Sequence, residues 1–162
     1  MSSYGVTFSN QTATTGGTMH MVFINPAASP NPNVSLLRAW MGQSGTATSA
    51  QLNYRLCTKV TAFPTLTSTT PVNVQLNGRA AVITGGTAGA AGTSGTNGSV
   101  AGAGAETNIV ADVFNNLNGY LWVPQPKEVI VCLAGAASGL GIVLASTPSS
   151  LSGWSGGMIY EE

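Results

Sequence analysis

The sequence predicts an all-β protein: an antiparallel β-sandwich, jelly-roll-like, with minimal helix. Three observations carry that expectation. Short stretches alternate apolar and polar side chains with the period of two that half-buries a strand, beginning with Ser3 to Ser9. Clusters of Gly, Pro, Asn and Ser punctuate these stretches at intervals of about a dozen residues. No window sustains the 3.6-residue period of an amphipathic helix. The 162 residues are read as one domain, 1–162, long enough to close a hydrophobic core. Roughly nine or ten strands at this spacing suit a sandwich better than a parallel sheet.

In chain order, Tyr4, Val6 and Phe8 form one face of the first strand, and Gly5, Thr7 and Ser9 the other. Thr18 to Asn25 is apolar on both faces, as a central strand is. Pro26, Pro30 and Pro32 then hold an irregular loop. Val34 to Gly42 is a third strand, with Leu37, Ala39 and Met41 opposite Leu36, Arg38 and Trp40. In Leu52 to Val60 the alternation turns Leu52, Tyr54 and Leu56 inward, and Asn53, Arg55, Cys57 and Lys59 outward or towards a neighbour. Val72, Val74 and Leu76 against Asn73, Gln75 and Asn77 repeat the pattern. The segment 85–105 (GGTAGAAGTSGTNGSVAGAGA) has little to bury and reads as a long Gly/Ala/Ser/Thr-rich loop or arm. Two readings of it compete: a mobile surface loop, or a loop lying on a partner subunit, where missing side chains permit close backbone approach. The last strands are expected at Ile109 to Phe114, Gly119 to Val123, Lys127 to Ala134, Leu140 to Ala145 and Gly157 to Glu161.

The stretch DVFNNLNGYLWVPQPKEVIVCL, Asp112 to Leu133, is expected to be the packing centre. Phe114, Tyr120 and Trp122 supply its aromatic mass, the Asn115 to Gly119 run turns the chain, and Pro124 and Pro126 stiffen it. The β-branched run Val129, Ile130 and Val131 reads as a buried strand.

Charged residues make up 6% of the chain, where about 25% is usual. Over the roughly 7,500 Å² expected of a folded monomer this size, the surface is nearly uncharged. Such a surface resists association poorly, so the chain is expected to live inside an assembly. Arg38, Arg55, Lys59, Arg79 and Lys127 are scattered, which argues against nucleic acid. Cys57 and Cys132 do not make a disulfide framework; they read as buried small apolar residues or as one bridge between neighbouring strands. With His20 as the only histidine, no metal site or cofactor is expected. The opening MSSYGVTFSN has no basic or apolar region, so no signal peptide is expected. Val129 to Ala145 is uncharged, but Gly135, Ser138, Gly139 and Gly141 in its middle suit a hairpin between two buried strands better than a membrane span.

Catalytic patterns fare poorly. Neither Lys59 nor Lys127 follows a glycine turn, and no Gly-x-Gly-x-x-Gly occurs. Gly42-Gln43-Ser44-Gly45 and Gly153-Trp154-Ser155-Gly156 miss the nucleophile-elbow spacing by one residue. Among Glu106, Asp112, Glu128, Glu161 and Glu162, only Glu106 and Asp112 offer a carboxylate pair, and the last two sit where a terminus frays. His20 lies in a Met-rich strand without an evident partner. No catalytic residue is assigned and no small-molecule substrate is expected. Trp40, Trp122 and Trp154 are read as core and interface packing, with a sugar-stacking platform as the alternative.

Several pieces of the chain resemble a family of small tailed-phage virion proteins that decorate or cement the head. They are Tyr4-Gly5-Val6-Thr7-Phe8-Ser9, then Leu37 to Gln43 with its Gly42-Gln43-Ser44 ending, and Glu106-Thr107-Asn108. Asp112-x-Phe114-Asn115 and Gly119-Tyr120-x-Trp122-x-Pro124-x-Pro126-x-Glu128 follow, then Ser152-Gly153 and Ile159-Tyr160-Glu161-Glu162. The spacer between Glu106-Thr107-Asn108 and Asp112-x-Phe114-Asn115 is shorter than in that family, and its arginine-rich middle strand is thinned to Arg55 and Lys59. The resemblance implies a jelly-roll-like sandwich that binds a capsid lattice as a homotrimer near threefold positions. Its partners would be its own copies and the major capsid protein, on the virion surface, after assembly in the host cytoplasm. A carbohydrate-binding module of a phage spike or adhesin is the alternative expectation, and a hydrolase using Glu106 and Asp112 a third.

Overall fold

The computed structural model describes residues 2–13, 19–26, 33–45, 48–61, 74–78, 83–85, 92–98, 104–134 and 138–162. Among these the protein is all-β. Its strands are β1 (Ser3–Gln11), β2 (Met19–Asn25), β3 (Val34–Gln43), β4 (Gln51–Lys59), β5 (Val74–Gln75), β6 (Thr84–Gly85), β7 (Thr93–Gly98), β8 (Glu106–Asn115), β9 (Tyr120–Trp122), β10 (Ile130–Cys132), β11 (Gly139–Leu144) and β12 (Trp154–Glu161). They form a β-sandwich. The first sheet runs β10-β3-β12-β1-β5, with β9 also paired to β3; the second runs β6-β7-β2-β11-β4-β8. The pairing is nested and antiparallel: β1 with β12, β2 with β11, β3 with β10, β4 with β8. Among the described residues only the short β6–β7 pair is parallel.

Alternation builds the core. Tyr4, Val6 and Phe8 of β1, Leu52, Tyr54 and Leu56 of β4, and Leu140, Ile142 and Leu144 of β11 meet in one buried cluster between the sheets. Each such side chain contributes about 1.5–3 kcal/mol on burial. The aromatic residues knit the two layers together. The Tyr54 and Tyr120 rings lie 4.0 Å apart, centroid to centroid. Phe114 meets Tyr120 at 6.0 Å and stands edge-on to Tyr54 and to the fully buried Trp154, both at 6.4 Å. Tyr54 and Phe114 belong to one sheet, Tyr120 and Trp154 to the other.

Several expectations need correction. Part of the 85–105 segment is a strand: β7 pairs antiparallel with β2, burying Ser94 and Thr96. The close approach anticipated against a partner occurs within the chain, because a Cβ on Gly95 would come within 2.4 Å of the Phe23 ring. Residues 86–91 and 99–103 lie outside the described residues. On β3, Tyr160 faces Leu36 while Ile159 faces Arg38, so Leu37 is an extra, bulged residue. The bulge flips the alternation, and Leu36 shares the buried face with Ala39 and Met41. The strand expected around Val72 to Asn77 shrinks to β5, an edge strand, leaving Val74 and Leu76 more than half exposed. Residues 72 and 73 are outside the described residues. β10 is likewise an edge strand, with Ile130 and Cys132 buried and Val131 exposed. Because β10 and β11 belong to different sheets, the 129–145 segment crosses the sandwich and is not a hairpin. The C-terminus is tied down: Glu161 pairs with Ser3 and Ser35, and the Glu162 carboxylate accepts the Ile83 N–H at 3.1 Å.

Phe114→Ala removes a ring that touches both sheets and is expected to lower unfolding free energy by about 3–5 kcal/mol. Leu121→Ala, at a side chain 64% exposed, is expected to stay within about 0.5 kcal/mol. Urea denaturation followed by tryptophan fluorescence separates the two, and equal losses would contradict the aromatic bridge.

Candidate functional site

Strand alternation that turns the aromatics inward turns a second apolar set outward. Phe114 goes in and Val113 goes out; Tyr120 and Trp122 pack on the core while Leu121 and Val123 face solvent. Ile130 and Cys132 are buried, and Val129, Val131 and Leu133 are exposed. Among the described residues, eleven large hydrophobic side chains are exposed, and only Val60, Val74 and Leu76 lie outside residues 109–133. The other eight sit where β8 ends one sheet and β9 and β10 end the other. The Tyr54–Tyr120 and Phe114–Tyr120 contacts place these two edges side by side. The result is an apolar rim divided between the outer faces of the two sheets at one lateral end of the sandwich.

A polar clamp sets the corner of that rim. Asn116 is buried; its Nδ2 donates to Gln43 Oε1 at 2.9 Å and to the Thr48 carbonyl at 3.0 Å, and its Oδ1 accepts the Ala50 N–H at 2.8 Å. Gln43 Nε2 donates in turn to the Ser150 and Ser152 carbonyls, at 2.7 and 2.9 Å. Two loops, at residues 48–50 and 150–152, are thus fixed around the turn that carries the chain from one sheet to the other, through one connected hydrogen-bond network. Beside it lies an open cleft of about 550 Å³ whose lining includes Trp40, Gln43, Asn116, Asn118, Tyr120 and Ser155. The Trp40 ring lies so close over Gly157 that a Cβ there would come within 2.9 Å of it.

Of the carboxylates weighed as a catalytic pair, the structure sends each to a different task. Asp112 Oδ2 accepts the Tyr120 hydroxyl at 3.3 Å, and its Oδ1 accepts the Val113 N–H at 2.7 Å. Glu106, at the far end of β8, lies 2.7 Å from Nε2 of buried His20. The histidine therefore has a partner that no local pattern signals, since the two are 86 residues apart in sequence. Near Glu106, burial lowers the Lys59 ammonium below its usual range, with the carboxylate partly offsetting the shift. Burial, with the Glu106 charge adding to it, pushes the Cys57 thiol up to about 12. A thiol so raised is a weak nucleophile at neutral pH. Burial also raises the Cys132 thiol to about 11. Both cysteines are free and buried. Among the described residues, no three His, Cys, Asp or Glu side chains come together as metal ligands, and no helix is long and apolar enough to cross a membrane.

Trp154 is fully buried, while Trp40 and Trp122 are half-buried, so the three tryptophans do not share one exposed platform. The rim itself was half legible in the sequence: Asp112 to Leu133 is apolar at both parities, and only one parity can face a core. Compared with family models, curated proteins and solved structures, the chain matches none.

Raised thiols tie stability to pH. Between pH about 9 and 12 the unfolded chain loses the Cys57 proton while the folded chain keeps it, so ionisation there favours the unfolded state. The urea midpoint is expected to fall on going from pH 8 to pH 10.5, and to fall less steeply in Cys57→Val. An equal slope in both proteins would contradict the assignment.

Proposed function

We propose that this chain is a virion structural protein of a tailed phage, a head decoration or cement protein that stabilises the capsid lattice. It acts as a homotrimer near threefold positions on the capsid surface, after assembly in the host cytoplasm, with its own copies and the major capsid protein as partners. The apolar rim carries this reading: a rim of eight exposed aliphatic side chains at two open sheet edges is a surface that contact with other chains completes. Charge sparsity supports it. Among the described residues only Arg38, Asp112, Lys127 and Glu128 are exposed charges, while Lys59 and Glu162 are buried. The nested pairing of β1–β12, β2–β11, β3–β10 and β4–β8 supports reading the sandwich as a jelly roll, an architecture common in viral shells. The likeness of Gly119-Tyr120-x-Trp122-x-Pro124 and its companion pieces to phage head proteins points the same way.

Light scattering after size exclusion is expected to give three times the 16.3 kDa of one chain, and the protein is expected to co-sediment with heads stripped of decoration. A clean monomer at micromolar concentration that leaves heads unbound would overturn the proposal.

The cleft beside Trp40 supports a second reading, a carbohydrate-binding module of a phage spike or adhesin. The Gln43 amide and that of Asn116 are engaged internally, so the Trp40 ring and the Asn118 side chain would carry recognition. A glycan array is expected to show a hit that Trp40→Ala removes; an array without hits ends this reading.

A further inference from the structure

β8 is the longest edge strand among the described residues, guarded by the Asp112 carboxylate and by a bulge at Ile109. Its ten residues include no Pro and no Lys. The phase of its ladder follows from its ends. Asn116 N–H donates to the Ala50 carbonyl, and Ala145 N–H donates to the Asn53 carbonyl on the opposite side of β4. Backbone groups of Phe114, Asp112 and Val110 therefore point at β4, and those of Ala111 and Val113 point out of the sheet. The register shift between Leu56 and Cys57 places a bulge at Ile109, which bounds the straight part of the strand.

We propose that this edge pairs antiparallel with the same edge of a second copy, about a twofold axis through Ala111. Self-complementarity distinguishes the registers centred on Ile109, Ala111 and Asp112. With Ala111 opposite its own copy, exposed Ile109 meets exposed Val113 twice, and Asp112 meets Val110. Centring on Ile109 would set Glu106 against Asp112, and centring on Asp112 would set that carboxylate against itself. Smallness at residue 111 lets the two strands close at the axis. The Asp112 carboxylate, which holds the Val113 N–H in the single chain, is displaced by the carbonyl of the incoming Ile109. Such an interface is isologous and the two sheets become continuous. A segment this short falls below the area of a stable isolated dimer, so pairing gains strength through repetition. The inference extends the proposed lattice role. Trimers on neighbouring threefold positions face each other across local twofolds, and β8 pairing would join them into a net.

Single cysteines test the axis. Opposed residues in the hydrogen-bonded pair sit about 5.5 Å apart at Cα, inside the disulfide range. Under mild oxidation at high protein concentration, Ala111→Cys is expected to form covalent dimers at least tenfold faster than Val74→Cys, which is exposed on β5. Ile109→Cys and Val113→Cys are expected to cross-link when mixed and not alone. Ala111→Pro, which removes an outward N–H and leaves the β4 ladder intact, is expected to abolish association beyond the basal oligomer in a sedimentation concentration series. Equal rates at residues 74 and 111, or unchanged association of the proline variant, would overturn the pairing. A trimeric mass without position-dependent cross-linking keeps the threefold and sinks the twofold. Fast Ala111→Cys dimers from a chain that never forms trimers do the reverse.

Discussion

Two tyrosine rings with centroids 4.0 Å apart, Tyr54 from one sheet and Tyr120 from the other, hold the sandwich closed at its β8–β9 end. Phe114 stands edge-on to Tyr54, and Trp154 stands edge-on to Phe114. At this end the chain must leave one sheet and enter the other within the few residues of the Asn115–Gly119 turn. Rings packed at this density tolerate little displacement, so the crossing has one geometry. Burial raises the Tyr54 hydroxyl well above its usual range, with the Tyr120 and Cys57 charges adding to the effect. The ring stays neutral inside an apolar interior.

That constraint has an unavoidable second face. A strand divides its side chains between two sides, and a segment apolar at both parities cannot hide both. Once Phe114, Tyr120, Ile130 and Cys132 are committed to the core, Val113, Leu121, Val129, Val131 and Leu133 are left at the rim. Elsewhere part of the outward surface is covered. On the second sheet Phe23, Cys57 and Val143 form a small buried cluster on the side away from the core, and Gly95 gives the Phe23 ring its place. The rim thus holds eight of the eleven large hydrophobic side chains left exposed among the described residues. Three of the four exposed charges among the described residues, Asp112, Lys127 and Glu128, lie in the same stretch.

Much of the fold could be read from alternation alone. Tyr4, Val6 and Phe8, or Leu52, Tyr54 and Leu56, announce both a strand and its inner face, because burial follows directly from parity. What parity cannot announce is a change of phase. The Leu37 bulge is a shift of register against β12, a strand more than a hundred residues away in sequence, and nothing near Leu37 encodes the slip. β7 was invisible for a related reason: Thr, Ser and Gly bury little, and its place comes from Phe23 on β2. The His20–Glu106 contact needs β2 and β8 to be brought into one sheet first. Of the candidate site, the sequence showed surplus hydrophobicity between residues 112 and 133; which half of it is exposed, and that two edges share it, required the sheet order.

Hydrogen–deuterium exchange on the dilute protein and on the protein associated at high concentration addresses the rim most directly. Covering by other chains predicts slowed exchange on assembly at residues 109–113 and 120–133, with little change at β5 and β7 on the opposite end. Protection confined to β5 and β7, or none at all along the rim, would contradict the account.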